Sequence, residues 1–111
     1  MEKYLELNIT FDEYQARAGT TALYQDKFYP IASLMVESAE LSDLFIKPML
    51  RGDRKEIDRH DIVSEAGDVL WNLAMILKDS GVDFSEVAQY NLSKLQSRAE
   101  RGVIQGSGGD R

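Results

Sequence analysis

Two short stretches carry the side chains best suited to chemistry, Glu37-Ser-Ala-Glu40 and Glu65-Ala-Gly-Asp68. In each stretch two carboxylates lie three residues apart, which on an α-helix places them on one face and about one turn apart. Each pair can therefore hold the same ion, and the two pairs together predict a cage of four carboxylates. Oxygen ligands of this kind suit Mg²⁺, with Mn²⁺ as an alternative.

The residues around these acids indicate more than a solvated helix surface. On its predicted helix Glu37 lies between Leu34, Leu41 and Leu44, and Glu40 lies at the edge of that apolar stripe. The second pair has the same offset from a stripe that consists of Ile62, Ala66, Val69, Leu73 and Ile76. Ionised carboxylates beside a packing face need a cation or hydrogen-bond donors. We interpret the four acids as ligands of a hard divalent cation; solvated flank acids are the plainer alternative.

Composition limits the classes of protein and partner. With 111 residues and 43% hydrophobic content, the chain is expected to form one domain over residues 1–111, near the size at which oligomerisation adds stability. A net charge of -6 argues against nucleic acid or a membrane surface as partner. Cysteine is absent, which excludes disulfides, thiolate metal sites and a cysteine nucleophile. Without an apolar run long enough to span a membrane or a leader-like start, we expect a cytoplasmic location.

The first half of the chain predicts two helices. Thr10 and Glu13 form a capping-box pattern, so a first helix should begin there and end near Gly19. Pro30 suits a first helical turn, because its missing amide hydrogen costs nothing there. The second helix, which carries the first acid pair, should therefore start at Pro30 and end near Pro48.

The second half predicts two more helices. Residues 49–60 are charged and lack an apolar period, so they should form a loop that includes the only histidine, His60. Asp61 is the predicted cap of the third helix, which should run to about Lys78 and stop at Gly81. A last helix should start at the capping pattern that begins with Asp83.

That last helix should end near Gly102, before a flexible glycine-rich tail over residues 102–111. No strand pattern is present. The predicted fold class is therefore all-α, a four-helix bundle that oligomerisation completes.

The last helix also carries a column of polar and basic side chains. Asn91, Lys94 and Arg98 follow the spacing i, i+3, i+7, which places them on one face that overlaps an apolar stripe. A basic column on a packing face needs an anionic counterpart. A phosphate chain held by metal ions is one such counterpart, and structural salt bridges to the acid cage are the alternative.

Taken in order, these motifs resemble those of the MazG-type all-α nucleoside triphosphate pyrophosphohydrolases. The resemblance lies in Glu-x-x-Glu, then Glu-x-x-Asp, then Asn-x-x-Lys-x-x-x-Arg, and it covers nearly the whole chain. It begins at Tyr14-Gln15 and extends to the Gly108-Gly109-Asp110-Arg111 end. It implies hydrolysis of a nucleoside triphosphate to the monophosphate and pyrophosphate, with the four acids holding magnesium. It also implies a homodimer or homotetramer with the site near the subunit junction.

The resemblance further assigns roles to individual residues. Lys94 and Arg98 match family positions that contact phosphates, and Asn91 matches a position near the nucleotide. Val36 stands where some dUTP-preferring relatives carry a glutamate, and Asn72 stands where other relatives carry a tyrosine that contacts the base. We expect Asn72 to contact the base or to support a metal ligand. The two departures leave the preferred nucleotide open.

Electrostatics links the cage to such a substrate. A triphosphate and four carboxylates repel one another strongly, so binding should require divalent cations between them. We hypothesise that one acid of the cage orients a water, acidified by the bound ions, for in-line attack on the α-phosphorus. Lys94 and Arg98 would then stabilise the departing pyrophosphate.

Several alternatives remain at this level. A related enzyme such as phosphoribosyl-ATP pyrophosphatase would use the same cage on another substrate. A catalytically silent helical module that binds metal or nucleotide, or that only mediates assembly, would share the fold without turnover. Trp71 is expected to be a subunit contact, and a platform on which a base stacks is its alternative role.

Overall fold

A computed structural model describes residues 4–53 and 56–102, which form four α-helices and no strand. This result confirms the predicted all-α fold class. The predicted flexible tail lies outside the described residues, apart from Gly102. The helices are α1 (Phe11–Gly19), α2 (Phe28–Leu50), α3 (Arg59–Asp79) and α4 (Phe84–Arg101).

Helix α1 begins with the predicted capping box. The Thr10 hydroxyl oxygen accepts a hydrogen bond from the Glu13 amide at 3.1 Å, and the Thr10 amide donates to Glu13 Oε1 at 3.2 Å. These two bonds satisfy amides that have no partner inside the helix. The helix ends at Gly19, as predicted.

Helix α2 begins two residues earlier than predicted, at Phe28 rather than Pro30. Lys27 precedes the helix without a side-chain capping bond, and Asp26 Oδ1 accepts the Phe28 amide at 2.9 Å, a contact that the sequence pattern did not indicate. Pro30 is buried as the third residue of the helix. Amides at all three first positions lack an intrahelical acceptor, so proline is tolerated at any of them.

The end of α2 also differs from the prediction, because the helix continues through Pro48 to Leu50. Gly52 then adopts a left-handed conformation with φ +69°, and its amide donates to the Met49 carbonyl at 3.1 Å. The Asp53 amide donates to the Pro48 carbonyl at 2.8 Å. This glycine-based motif closes the last turn after the proline, so the glycine and not the proline ends the helix.

Helix α3 is capped by Asp58 and not by Asp61, so it begins at Arg59. The Asp58 backbone is extended, and its Oδ1 accepts the His60 amide at 2.8 Å. Asp61 and His60 already belong to the first turn of the helix, so His60 is not the loop residue that the sequence predicted. At the other end Gly81 has φ +71°, which confirms the predicted stop.

Helix α4 begins after Asp83 and ends before Gly102, as predicted, but its cap comes from another helix. Asp83 makes no side-chain capping bond. Instead, Gln15 Oε1 of α1 accepts the Phe84 amide at 3.2 Å. Asp12 of α1 accepts the Ser85 amide at 2.8 Å and the Ser85 hydroxyl at 2.6 Å. Residues of α1 therefore satisfy the amino end of α4.

The buried core lies where α1, α3 and α4 meet. Gln15, which is only 7% exposed, also donates from Nε2 to the carbonyls of Ala74 and Val82, at 3.2 and 3.1 Å. Phe84 is buried, and the rings of Phe11 and Tyr14 pack against it at centroid distances of 4.9 and 6.5 Å. The buried hydrophobic residues of this core, among the residues described, are Ala74, Met75 and Phe84.

Helix α2 packs along α3 but not along α4 within the described part of the chain. The predicted apolar stripe of α3 is half-buried in the single chain, as at Ile62, Val69 and Ile76. Its Leu73 packs against the buried core. The outer face of α2 exposes large apolar side chains, namely Phe28, Ile31, Met35, Phe45 and Met49.

Candidate metal centre

The acid pairs predicted on α2 and α3 come together in the structure. Glu37 of α2 and Glu65 and Asp68 of α3 each place a carboxylate oxygen within 4.8 Å of the others. Because α2 packs along α3, one turn of each helix faces the other at this point. Three carboxylates from two helices thus form a single cluster.

Glu40 lies beside this cluster and is more exposed. It is close enough to Glu37 and Glu65 for hydrogen bonding, and its charge acts on both. All four predicted acids therefore share one location, with Glu37, Glu65 and Asp68 as the tight set and Glu40 at its edge.

Two buried oxygens of the cluster could bind a cation. Glu37 Oε2 and Glu65 Oε2 are buried, and within residues 4–53 and 56–102 neither has a hydrogen-bond partner. Buried polar atoms are nearly always satisfied by a donor, a water or an ion. An all-oxygen set of carboxylates with orphaned oxygens is the donor set that a hard divalent cation requires. The residues present thus fit a metal ion.

The protonation equilibria agree with this picture. Burial, followed by the neighbouring Glu40, raises the pKa of Glu37, and the charges of Asp68 and Glu65 raise it further. Burial also raises the pKa of Glu65, with further contributions from the charges of Glu40, Asp68 and Asp61. Both shifts mean that the ionised cluster is electrostatically disfavoured without a cation.

Asn72 lies one turn after Asp68 and is only 3% exposed. Its Nδ2 donates to the backbone carbonyl of Asp68 at 2.9 Å, and its Oδ1 is buried without a hydrogen-bond partner among the residues described. The side chain thus lies against the helix segment that carries a cluster acid.

Two residues near the cluster were not singled out from the sequence. Tyr14 of α1 is half-buried, and the pKa of its phenol is raised by burial and by the charge of Asp68. No spacing along α3 could have indicated this residue, because it comes from another helix. Asp61 acts on Glu65, and its position four residues earlier on the same helix was a signal that could have been used.

The polar column of α4 lies apart from α2. Helix α4 packs against α1 and α3, and within the described segments it does not pack against α2. Asn91 and Lys94 line a cleft of about 340 Å³ together with Glu86 and Tyr90, and Lys94 Nζ lies 5.6 Å from the centre of the Tyr90 ring.

Arg98 of the same column is 9% exposed. A single chain brings the acids together on α2 and α3, whereas Asn91 and Lys94 line a cleft to which none of these acids contributes.

Trp71 makes contacts within its own chain. Its Nε1 donates to the Thr21 hydroxyl at 2.9 Å, and its ring meets that of Tyr24 edge to face at 6.0 Å. The side chain is half-buried and lines a cleft of about 520 Å³ between α3 and the connection from α1 to α2.

No helix in the described part of the chain has both the length and the apolar composition needed to cross a membrane.

Comparison with known proteins agrees with the geometry of the acids. The family model of the MazG nucleotide pyrophosphohydrolase domain matches residues 30–103, the segment that contains both acid pairs and the α4 column. The chain is 38% identical to the Gene 37 protein of Mycobacterium phage L5, across 90% of this chain and 97% of that protein. No solved structure matches the chain. Because the family match covers two thirds of its length, the chain belongs to the MazG nucleotide pyrophosphohydrolase family.

Proposed function

We propose that the protein is a magnesium-dependent nucleoside triphosphate pyrophosphohydrolase, which converts a ribo- or deoxyribonucleoside triphosphate into the monophosphate and pyrophosphate. The observation that carries this proposal is the cluster of Glu37, Glu65 and Asp68, whose oxygens lie within 4.8 Å of one another. Membership of the family supplies the class of reaction.

The acids of the cluster would have two roles, metal binding and proton acceptance. Glu37, Glu40, Glu65 and Asp68 would hold Mg²⁺, or Mn²⁺ in its place. Bound ions of this kind supply Lewis acidity at phosphate oxygens and lower the pKa of a coordinated water. An acid at the exposed edge of the cluster, as Glu40 is, can accept a proton from the attacking water. Its exposed position lets the proton pass to solvent.

Asn72 would act on the site through the backbone of Asp68. Its bond to the Asp68 carbonyl at 2.9 Å fixes the turn of α3 that carries this ligand. We propose that its buried Oδ1 meets a donor only when the site is filled. This role differs from the direct contact with a base that a tyrosine makes at this position in some relatives.

We also propose that the enzyme is a homodimer or homotetramer. The outer face of α2 exposes Met35 at 71% and Met49 at 69%, and within the described chain only α3 covers α2. Contiguous exposed apolar surface of this kind is typical of an interface between subunits. Assembly through this face would allow Asn91, Lys94 and Arg98 of one subunit to approach the acids of another.

Product analysis tests the activity. Pyrophosphate and nucleoside monophosphate should appear in equal amounts when Mg²⁺ is present and should be absent with a chelator. Isosteric replacement of one cluster acid, Glu37→Gln or Glu65→Gln, should reduce turnover by at least about a hundredfold, because loss of even an indirect metal contact costs up to about that much.

A matched control lies on α2. Asp43→Asn removes a carboxylate that pairs with Lys47 at 3.5 Å on the exposed surface, so its activity should stay at the wild-type level. The proposal is wrong if no triphosphate yields pyrophosphate with either Mg²⁺ or Mn²⁺. A silent metal-binding module would give that result.

A further inference from the structure

A second feature near the acids is the aromatic cleft between α3 and the connection from α1 to α2. Its volume is about 520 Å³, and three of its lining residues are aromatic, namely Tyr24, Tyr29 and Trp71. Its polar lining consists of Thr21, Gln25 and Asp26. An apolar cleft with a few polar groups at its edge is the usual form of a site for a small organic ligand.

Hydrogen bonds fix two of the three rings in place. The Trp71 indole donates to the Thr21 hydroxyl at 2.9 Å, and the Tyr24 hydroxyl donates to Asp79 Oδ2 at 2.6 Å. The Tyr24 and Tyr29 rings are stacked with an interplanar angle of 20° at 5.7 Å, while Trp71 stands at 84° to Tyr24. The cleft therefore offers aromatic surfaces in two perpendicular orientations that need no rearrangement to accept a planar ring.

The register of α3 indicates how far Trp71 lies from the acids. Trp71 follows Asp68 by three residues on α3, which corresponds to about 4.5 Å along the helix axis and about 60° around it. In a nucleotide the sugar alone separates the α-phosphate from the base, a span of about one to two helical turns, or roughly 5–10 Å. A substrate whose phosphates lie at the Asp68 cluster can thus reach Trp71 with its base.

We propose that this cleft binds the nucleobase of the substrate by stacking against its aromatic rings, with a preference for bases that carry an exocyclic amino group. This inference rests on the proposed function and specifies its substrate. The ring system selects for planarity, so any of the common bases can stack there. The preference for an amino group comes from the polar residues at the edge of the cleft, Thr21, Gln25 and Asp26, which form its rim.

The rim preference depends on Asp26. It is the one carboxylate in the lining, and its Oδ1 is held by the Phe28 amide at 2.9 Å, so the carboxylate has a fixed position. An ionised carboxylate only accepts hydrogen bonds. Cytosine and adenine present an amino group to such an acceptor, and guanine presents one at another ring position, whereas uracil and thymine carry no exocyclic amino group.

The single tryptophan of the chain makes stacking directly measurable. Trp71 fluorescence should be quenched when the Mg²⁺ complex of a triphosphate with a non-hydrolysable α,β bridge is added. Inorganic tripolyphosphate with Mg²⁺ has no base and should leave the emission unchanged while it competes for the acids. The dissociation constant from quenching should match that from calorimetry.

Kinetics on variants provides the second readout. Tyr29 is 56% exposed, so Tyr29→Leu should fold normally and raise KM for nucleoside triphosphates by about tenfold. Its inhibition constant for tripolyphosphate, which competes for the acids without a base, should stay within about twofold of wild type. Tyr4→Leu removes a ring that is 54% exposed and does not line the cleft, so it should leave both values unaffected. Asp26→Asn should reduce the ratio of kcat/KM for dCTP over dUTP by about tenfold, because an amide can also donate to a carbonyl.

The outcomes separate the two proposals. If pyrophosphate is released and nucleotides bind, but the emission stays unchanged and Tyr29→Leu keeps its KM, the nucleobase lies elsewhere and this inference is wrong. Equal quenching by tripolyphosphate also overturns it, because the signal would then report phosphate binding. An unaltered base preference in Asp26→Asn overturns the role of the rim. If no triphosphate is hydrolysed or bound at all, the proposed function fails and this inference with it.

Discussion

At the residue scale, the acid cluster makes the metal-free protein less stable than its helices alone would allow. The cluster places like charges within 4.8 Å, and two buried oxygens lack partners among the residues described. Without a cation, ionisation of these groups opposes folding. Binding of a cation to the folded chain alone should reverse this effect through mass action.

Replacing one of these acids should therefore stabilise the metal-free chain. Burial and neighbouring acids raise the pKa of Glu65 above its ordinary value of 4.5, so near and above that pH the folded chain binds more protons than the unfolded chain. The free energy of unfolding in a chelator should then fall as the pH rises through the raised pKa. Glu65→Gln should be more stable than wild type at pH 7 and should lose this component of the pH dependence. Urea denaturation with chelator measures both effects.

The same variant should lose the response to magnesium. Mg²⁺ should raise the melting temperature of wild type and of the control Asp43→Asn, and it should leave that of Glu65→Gln nearly unchanged. Equal stabilisation of all three proteins would show that the ion binds somewhere other than this cluster.

Tyr24 gives a second prediction at this scale. Burial, the hydrogen bond to Asp79 and the charge of Asp79 raise its pKa from 10.0 to about 12. The phenol ionises at a lower pH in the unfolded chain than in the folded chain. The contribution of the Tyr24–Asp79 hydrogen bond to stability should therefore be lost between pH 10 and 12. Titration of tyrosinate absorbance should show one phenol that ionises last, and Tyr24→Phe should remove that phase. A titration in which that late phase survives Tyr24→Phe would contradict the assignment.

At the element scale, signals within one helix predicted its ends well. The Thr10 and Glu13 capping box forms both of its bonds, and Gly81 and Gly102 adopt the left-handed conformation that the stop signals predicted. The acids of α2 and α3 were also predicted to converge, because their spacing fixes one face of each helix. Such signals act between residues a few positions apart, so they can be read from the chain.

Contacts between helices could not be read in this way. Asp12 and Gln15 cap a helix that begins about seventy residues later, and Trp71 bonds to Thr21. The apolar period of α3 predicted a core on the side of Ile62 and Val69. The most buried positions are instead Ala74 and Met75, and the stripe is half-buried, with Leu73 packed against this core. Which partner covers a face is a property of the whole fold.

The stability of the region where α1, α3 and α4 meet, called the joint below, should depend on Gln15. Gln15→Leu keeps a similar size but removes partners from the Ala74 and Val82 carbonyls and from the Phe84 amide. Each buried group left unpaired costs about 1–3 kcal/mol, so the free energy of unfolding should fall by at least about 2 kcal/mol. Urea denaturation measures this loss.

Gln89→Leu on the exposed surface of α4 is the matched control and should change stability by no more than about 0.5 kcal/mol. If Gln15→Leu were as stable as this control, the joint would have to be held by apolar packing alone.

At the scale of the whole molecule, the exposed face of α2 should control assembly. Placing charges there with Met35→Glu and Phe45→Glu together should lower the mass in sedimentation to that of a single chain, because burying unpaired carboxylates at an interface is costly. Turnover per chain should fall as well if the α4 residues act on a neighbouring subunit.

A control for this double variant is Leu92→Glu on α4, where the side chain is 66% exposed. It should keep the wild-type mass. A double variant that sediments like wild type would place the subunit interface on another face.

The hydrogen bonds of Gln15 and the acid cluster should respond differently to solution conditions. None of the three hydrogen bonds of Gln15 involves a charged group, so ionic strength should hardly alter them. The acid cluster around Glu37 and Glu65 changes its electrostatic balance with every ion gained or lost. Amide hydrogen exchange should accordingly slow around the acids when magnesium is added and remain constant beside Ala74 and Phe84. One small chain would then contain a region whose stability depends on magnesium and a region whose stability does not.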